Sequence, residues 1–452
     1  MKKTINNKVK IHIVKLGCDK NDVDAEIMGG LLLKSNFDIT TKAEEADVII
    51  INTCGFINSA KQESIDYILD AIEYKKNGSC HKVIVSGCLA QRYANELAKE
   101  LTEVDAFVGV GDIDKISNII KDVQNNKNDK IYCSDPQLSD RFAERIVSQG
   151  DVTAYVKIAE GCDSFCSYCV IPMLRGRYQS RTVESILNEV KKLAQSGIKE
   201  INLVAQNTTA YGVDLWGEPK LVDLLKRLLE IKEIRWFRLL YCYQDNITNE
   251  LLDLISSEER IASYLDIPIQ HSHPQVLKNM NRNAINKVNV DWFCDLQRRV
   301  PNITLRTTVM VGFPGETDEQ FNHLVNFINE VKFNHLGVFC FSAEEGTRAY
   351  SMKNQVDTQT SLDRYNTIKD EQLYIALNKK RELLKKQLPI LLLEQDGDLW
   401  LGRGEGDAPE IDNICYVANV VNAKKGDVII VEIDEIDFDY LKGRMLHIEK
   451  RA

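Results

Sequence analysis

Glu160–Pro172 reads EGCDSFCSYCVIP, with Cys162, Cys166 and Cys169 at C-x3-C-x2-C spacing and no fourth cysteine in the run. One short loop at this spacing presents all three thiols on one side. An iron–sulfur cube that only carries electrons takes four cysteines, so three leave one iron open to a small molecule. A structural zinc site closes with four ligands, and the nearest histidines, His81 and His271, are far away in sequence. The run follows a strand-like segment, TAYVKIA (153–159), and that unit recurs as KEINLVA (199–205), IRWFRLL (234–240), SYLDIPI (263–269), NITLRTTVMV (302–311) and NHLGVFCF (334–341). Each but the last is followed by a helical pattern or turn. Six such units predict an open, partial (βα)6 TIM-like barrel with its reactive residues on loops at the carboxyl ends of the strands. The cysteine loop follows the first strand, where that rule places it.

Upstream, KIHIVKLGC, ADVIIINTC and HKVIVSGC alternate with helical patterns over Asp24–Lys34, Lys61–Tyr74 and Arg92–Leu101, which predicts an N-terminal parallel α/β domain over 8–124. A polar stretch, 125–149, reads as a linker, and the barrel segment runs from 150 to 384. Thr360–Gln387 reads as one long helix. It leads into LPILLLE, NICYVANVV, DVIIVEIDEI and RMLHIEK, short β runs that predict a small OB-like β-barrel over 385–452.

In the first segment Cys18, Cys54 and Cys88 each come at the end of a predicted strand, after LG, NT and SG. The carboxyl ends of parallel strands share one sheet edge, so these three thiols are expected to meet at one point although 36 and 34 residues separate them. Cys80 precedes its strand and belongs at the opposite edge.

The chain has 452 residues, 44% of them hydrophobic and 27% charged, enough for two or three domains with cores of their own. No apolar run has the length of a membrane span, and the basic start MKKTINNKVKIHIVKLGC passes directly into a strand rather than a signal sequence. With twelve cysteines, this points to a cytoplasmic chain using thiols as metal ligands. The net charge is −10, and residues 388–452 carry 7 Lys and Arg against 14 Asp and Glu. An acidic terminal module suits a basic protein partner and disfavours direct RNA binding. A pure electron carrier would close its clusters with four cysteines, and a nucleic-acid module would show a basic stripe.

The loop motif, with Tyr168 before its last cysteine, resembles the radical S-adenosylmethionine (radical SAM) signature. LGCDKNDVDAE, INTCGFINSAKQESID, VSGCLAQRY, LVAQNTTAYG, LDIPIQHSHPQVLKNMNR, TTVMVGFPGET and GRGEGDAPEIDN extend the likeness to the methylthiotransferase family over nearly the whole chain. The resemblance implies two 4Fe-4S clusters, one on Cys162, Cys166 and Cys169 and an auxiliary one on Cys18, Cys54 and Cys88. It implies S-adenosylmethionine as the source of a 5′-deoxyadenosyl radical and as methyl donor, and a terminal TRAM domain that holds substrate. Two branches compete: one modifies isopentenylated adenosine in tRNA, the other the β-carbon of an aspartate in the twelfth protein of the small ribosomal subunit. Lys20 and Asn21, Gly55-Phe56-Ile57 and Gln270-His271 are similar to the second, as is the acidic tail. A low-potential electron donor is implied as a further partner. Asp19 and Asn207 depart from the usual Pro and Asp of that branch.

By the same resemblance, Tyr168, Gln206, Gly312, Gly315 and Glu316 approach the cofactor, Glu316 as a hydroxyl acceptor. The cations of RGRYQSR, Arg175, Arg177 and Arg181, are candidates to clamp the cofactor or the substrate carboxylate.

Overall fold

A computed structural model describes residues 8–78, 80–125, 127, 129–136, 145–147, 150–282 and 287–449. The chain divides into two compact units: residues 1–148, 159–163 and 169–189 form the first, and 149–158, 164–168 and 190–452 the second.

The first unit is built on six strands, β1 (Lys10–Lys15), β2 (Asp38–Ile39), β3 (Val48–Thr53), β4 (Lys82–Gly87), β5 (Ala106–Val108) and β6 (Ile131–Tyr132), in the order β2-β1-β3-β4-β5-β6. Every pairing is parallel. All six residues of β3, VIIINT, are buried, as a strand covered on both faces requires. Ile49, Ile51, Ile68, Val83, Val85, Leu89 and Phe107 form the core beside it. The helices α1 (Asp19–Lys34), α2 (Asn58–Asn77) and α3 (Cys88–Glu100) follow β1, β3 and β4, and α4 (Ile116–Gln124) follows β5. The sequence pattern misses β5 and β6, because runs of three and two residues carry no periodicity. β6 lies within the expected linker: Lys130 O and Tyr132 O accept from Phe107 N and Gly109 N, both at 2.7 Å. Residues 137–144 and 148–149 of that expected linker lie outside the described residues. The hairpin β8 (Ala159–Glu160) with β9 (Gln179–Ser180) brackets a short helix, α5 (Ile171–Arg175).

In the second unit β7 (Thr153–Lys157), β10 (Glu200–Val204), β11 (Trp236–Leu239), β12 (Ile261–Asp266), β13 (Thr304–Val311) and β14 (His335–Cys340) form the expected open parallel sheet, ordered β14-β13-β12-β11-β10-β7. The long helix spans Thr358–Arg381, capped by Asp357, whose side chain accepts from Thr360 N at 2.9 Å. It stops short of Gln387 because that residue opens β15 (Gln387–Asp396). With β16 (Leu399–Gly404), β17 (Ile414–Ala418), β18 (Val428–Ile436) and β19 (Tyr440–Ile448) this strand closes a five-stranded barrel. β16 has no counterpart among the runs expected from sequence, because only its first half, LWL, is apolar.

The turn between β16 and β17 seals the amino-terminal end of the parallel sheet. Glu200, the first residue of β10, is held by Arg403 and by Arg238 at 3.0 Å, with all three side chains buried. Burial alone would raise the Glu200 carboxyl, but the two guanidinium charges outweigh it and hold it below its ordinary range. Asp412 accepts from Tyr264 Oη at 2.7 Å, Arg306 at 2.5 Å and Ala408 N at 2.9 Å. His335, which opens β14, lies 3.1 Å from Gly406 O and 3.2 Å from Asp412. The small barrel thus closes one mouth of the large one and leaves the carboxyl-end loops for chemistry.

Candidate cluster sites

Cys18 caps the start of α1, Cys54 follows β3 directly, and Cys88 is the first residue of α3. Gly17 and Gly87 precede two of them in left-handed conformation, at φ 95° and 96°. A Cβ on Gly17 would stand 2.8 Å from Cys54 Cβ and 3.2 Å from its Sγ, and one on Gly87 would stand 2.6 Å from Thr53 O. Only glycine lets the strand ends crowd this closely. Asn21 braces the same corner: its amide donates to Leu16 O at 2.8 Å and Thr53 O at 3.1 Å, and Asn52 donates to its carbonyl at 2.7 Å.

A guanidinium stands beside these thiols. Arg175, at the end of α5, is 2% exposed and donates to Asn21 Oδ1 at 2.7 Å, Glu160 at 3.0 Å and Asp24 at 3.1 Å. Burial opposes its charge, and Cys88, Glu160, Asp24 and Cys18 outweigh that penalty. Burial pushes the Cys54 thiol up to about 11 and raises Cys88 as well, while the Arg175 charge pulls both back. Such thiols keep their protons until a metal displaces them. Among the described residues no three His, Cys, Asp or Glu side chains close on a single metal ion. Three thiols with one buried guanidinium fit an iron–sulfur core, whose thiolate shell needs positive charge nearby.

The boundary between the two units runs through the C-x3-C-x2-C loop, with Cys162 and Cys169 in the first and Cys166 in the second. In the first, Cys169 Sγ accepts from Ile171 N at 3.4 Å, and Cys162 N donates to Gly176 O at 3.2 Å. In the second, Cys166 Sγ lies 3.2 Å from Tyr243 Oη and 3.9 Å from Arg282 Nη1. Donors directed at sulfur are the environment a ligating thiolate requires. Arg282 also reaches Tyr168 Oη at 3.4 Å. Tyr243 is placed in turn by Thr209, whose hydroxyl accepts from Tyr243 N at 2.8 Å and bonds Asn207 Oδ1 at 3.1 Å.

The expected carboxylate clamps have three different placements. Arg175 is committed as described. Arg181 is buried against Glu189 and donates to Ser185 Oγ at 2.9 Å. Arg177 is exposed and pairs with Asp163 at 2.8 Å. The donors of Arg175 and Arg181 serve buried partners, and moving them would strand those acids.

Gln206 lies half-buried just past the end of β10. Gly312 follows β13 at φ 72°, and a Cβ there would fall 2.2 Å from Ser361 Oγ, so it is the long helix that makes glycine necessary. Gly315 has φ 81° and open space around it. Glu316, expected as a hydroxyl acceptor, has buried partners on the protein itself. Its fully buried carboxylate accepts from Gly312 N and from Arg364 at 3.0 Å, and lies 3.2 Å from His271 Nε2. His271 Nδ1 accepts from His273 N at 2.9 Å, which leaves Nε2 as the protonated nitrogen facing Glu316. Through these partners Glu316 braces the turn.

Tyr243 and Arg282 were not among the residues expected from sequence. Tyr243 sits shortly after the third barrel strand, where the carboxyl-end rule could have found it. Arg282 closes the run LDIPIQHSHPQVLKNMNR, whose likeness to the family marked the stretch without marking this side chain.

Family models match along the chain in order: "Uncharacterized protein family UPF0004" over 10–109, "Radical SAM superfamily" over 156–328 and "TRAM domain" over 386–446. A protein of Geobacter sulfurreducens named ribosomal protein uS12 methylthiotransferase RimO is 44% identical over 441 residues, covering 96% of this chain and 98% of its own. This chain belongs to the RimO family. Further RimO relatives, from Clostridium kluyveri and Clostridioides difficile, are 42% and 43% identical over 96% and 97% of the chain, covering 97% and 99% of their own. Among solved structures, the radical SAM methyltransferase TsrM of Kitasatospora setae, with cobalamin and a [4Fe-4S] cluster bound, gives a TM-score of 0.56 at 12% identity. The match covers 74% of this chain and 72% of that one, and shows a shared fold.

Two departures of this RimO chain have physical answers. Asp19 occupies the first helical position after the Cys18 cap, and Pro and Asp are both favoured there, one by its fixed φ and the other by the helix dipole. Asn207 supplies the acceptor oxygen for Thr209 that a carboxylate would supply.

Proposed function

We propose that this chain transfers a methylthio group to the β-carbon of an aspartate in ribosomal protein uS12, using S-adenosylmethionine both as radical source and as methyl donor. The observation that carries the reading is the pair of three-cysteine sets in one chain, both with donors or a buried guanidinium directed at sulfur. Cys162, Cys166 and Cys169 hold one 4Fe-4S cluster and Cys18, Cys54 and Cys88 the other. When bound, these groups supply the one-electron and sulfur chemistry that side chains lack, which an unactivated C–H bond demands.

The chain's own residues hold and shield. Arg175 sets the charge beside the auxiliary thiols, and Glu316 with His271 and Arg364 fixes the turn that carries Gly312 and Gly315. Tyr168, Gln206 and these glycines border the cofactor. The working division is 8–124 for the auxiliary-cluster domain, 125–149 for the connection, 150–384 for the radical SAM core and 385–452 for the TRAM domain. Asp407 and the Asp412 side chain are buried in the seal, so docking of a basic substrate falls to exposed acids such as Glu394, Asp396, Asp398, Glu435, Asp437 and Asp439. Among the described residues no helix is long and apolar enough to cross a membrane. A low-potential one-electron donor is the remaining partner.

The test is mass spectrometry after anaerobic incubation of the reconstituted chain with S-adenosylmethionine, a reductant, and either small ribosomal subunits or isopentenylated tRNA. A methylthio gain on one aspartate of uS12 is expected. The same gain on the tRNA nucleoside, with none on the protein, overturns the reading.

A further inference from the structure

Arg282 is a buried cation beside Cys166 that hydrogen-bonds no carboxylate among the described residues, the Asp245 carboxyl feeling its charge from further off. It is 5% exposed, its guanidinium stacks 4.1 Å from the centre of the Tyr243 ring, and it donates to the Tyr243 hydroxyl, to Pro268 O at 2.5 Å and to Tyr168 Oη at 3.4 Å. Cys166 Sγ completes the set at 3.9 Å. Other buried arginines in the chain are neutralised directly: Arg175 by Asp24 and Glu160, Arg181 by Glu189, Arg238 and Arg403 by Glu200, and Arg364 by Glu316. A guanidinium cannot shed its proton, and burying an uncompensated charge costs several kcal/mol, of order 3–5. The Tyr243 and Tyr168 hydroxyls, the Cys166 sulfur and, further off, the Asp245 carboxyl all meet the Arg282 charge, and of these the Cys166 sulfur is the one a metal would hold as a thiolate. A thiolate on a 4Fe-4S core carries negative charge, and each added electron increases it.

We propose that Arg282, with the Tyr243 hydroxyl, is a fixed counter-charge to the cluster ligated by Cys166 and sets how readily that cluster accepts its electron. The inference rests on the reading of Cys162, Cys166 and Cys169 as cluster ligands. The step is a one-electron transfer from a low-potential donor, which is oxidised by one electron as the cluster is reduced by one, with no bond made or broken in the protein. The cation stabilises the reduced form more than the oxidised form, since the reduced form is the more negative. Pro268 O, the Tyr243 ring and, through Thr209, the Tyr243 backbone hold both donors in place, so little reorganisation accompanies the electron. Arg282 is a positioning residue in this scheme. A merely structural latch would brace the loop and leave the potential alone.

The decisive measurement is an EPR-monitored redox titration of the full chain with Cys18, Cys54 and Cys88 changed to Ala, so that one cluster contributes, alongside iron and sulfide content. Arg282→Gln is expected to load its cluster and to lose at least tenfold in the one-electron reduction equilibrium, a shift of about 59 mV to more negative potential. Arg282→Lys, which keeps the charge, should recover most of that shift. Tyr243→Phe should move the potential the same way by less. A loaded Arg282→Gln cluster at the parent potential overturns the assignment and leaves the cluster reading intact. Should Arg282→Gln fail to load, a loaded Tyr243→Phe cluster decides: a negative shift supports the counter-charge, and the parent potential overturns it. A parent chain that takes up no cluster on Cys162, Cys166 and Cys169 overturns the reading beneath.

Discussion

The sheet-edge cysteines and the loop cysteines reach similar chemistry by opposite routes. Cys18, Cys54 and Cys88 come from three strand ends and are gathered by backbone crowding at Gly17 and Gly87. Cys162, Cys166 and Cys169 come from a single run of eight residues and need no long-range folding to be near one another. Each set nonetheless has a cation brought from far along the chain. Arg175 lies 154 residues from Asn21, its anchor at the sheet edge, and Arg282 lies 116 residues from Cys166. The two cations differ in company, for Arg175 sits among carboxylates and Arg282 among hydroxyls, a carbonyl and sulfur. Ligand spacing is a local property, whereas the charge around a ligand is a property of the tertiary fold.

The largest effect should separate the two sets by function. Cys162→Ala is expected to lose S-adenosylmethionine cleavage and product entirely, while Cys18→Ala loses product and keeps cleavage, each with about half the iron of the parent. Assay of 5′-deoxyadenosine beside the methylthio product checks this, and equal loss of cleavage in both would erase the distinction. Next, the difference in company should appear in stability. Arg175→Met strands Asp24 and Glu160 and should cost about 3–5 kcal/mol, whereas Arg282→Gln strands no carboxylate and should cost about 1–3 kcal/mol. Urea midpoints of the two variants decide, and equal costs would contradict the contrast.

Acid provides a third, smaller lever on the arginines that do have carboxylates. Glu200 is held below its ordinary range when folded, so the unfolded chain binds its proton first as the pH drops. Its contribution is present above about pH 4.3 and is lost as pH falls from there through the depressed folded value. Urea midpoints of parent and Glu200→Gln should therefore converge on acidification; a constant gap would mean the pair carries no such linkage. The smallest effect belongs to Arg177→Ala. Its pair with Asp163 is exposed, so the urea midpoint and S-adenosylmethionine cleavage should both stay within error of the parent, and a lost cleavage rate would return Arg177 to the cofactor.

The three-part architecture and the two candidate cysteine sets were legible because their signals are local: cysteine spacing, strand-length apolar runs, and LG, NT and SG before the three sheet-edge thiols. β5, β6 and β16 were not, since short or half-polar strands owe their existence to a neighbour's unpaired backbone groups rather than to a pattern of their own. Arg175, Arg181 and Glu316 were visible as charged residues in suggestive places, but their roles depend on Asp24, Glu160, Glu189, His271 and Arg364. No window of sequence holds those partners together. Arg282 shows the limit plainly, as its run was marked by likeness while the placing of its guanidinium depends on Tyr243, Pro268 and Cys166.

The turn at 404–413 makes the terminal module difficult to exchange. A barrel of the same shape without Asp412 would deny Arg306, Tyr264 and His335 their acid, and one without Arg403 would leave Glu200 with half its counter-charge. A truncation that ends before Leu399 would expose a ring of orphaned charges and would report on a damaged core rather than on the loss of a substrate-holding appendage.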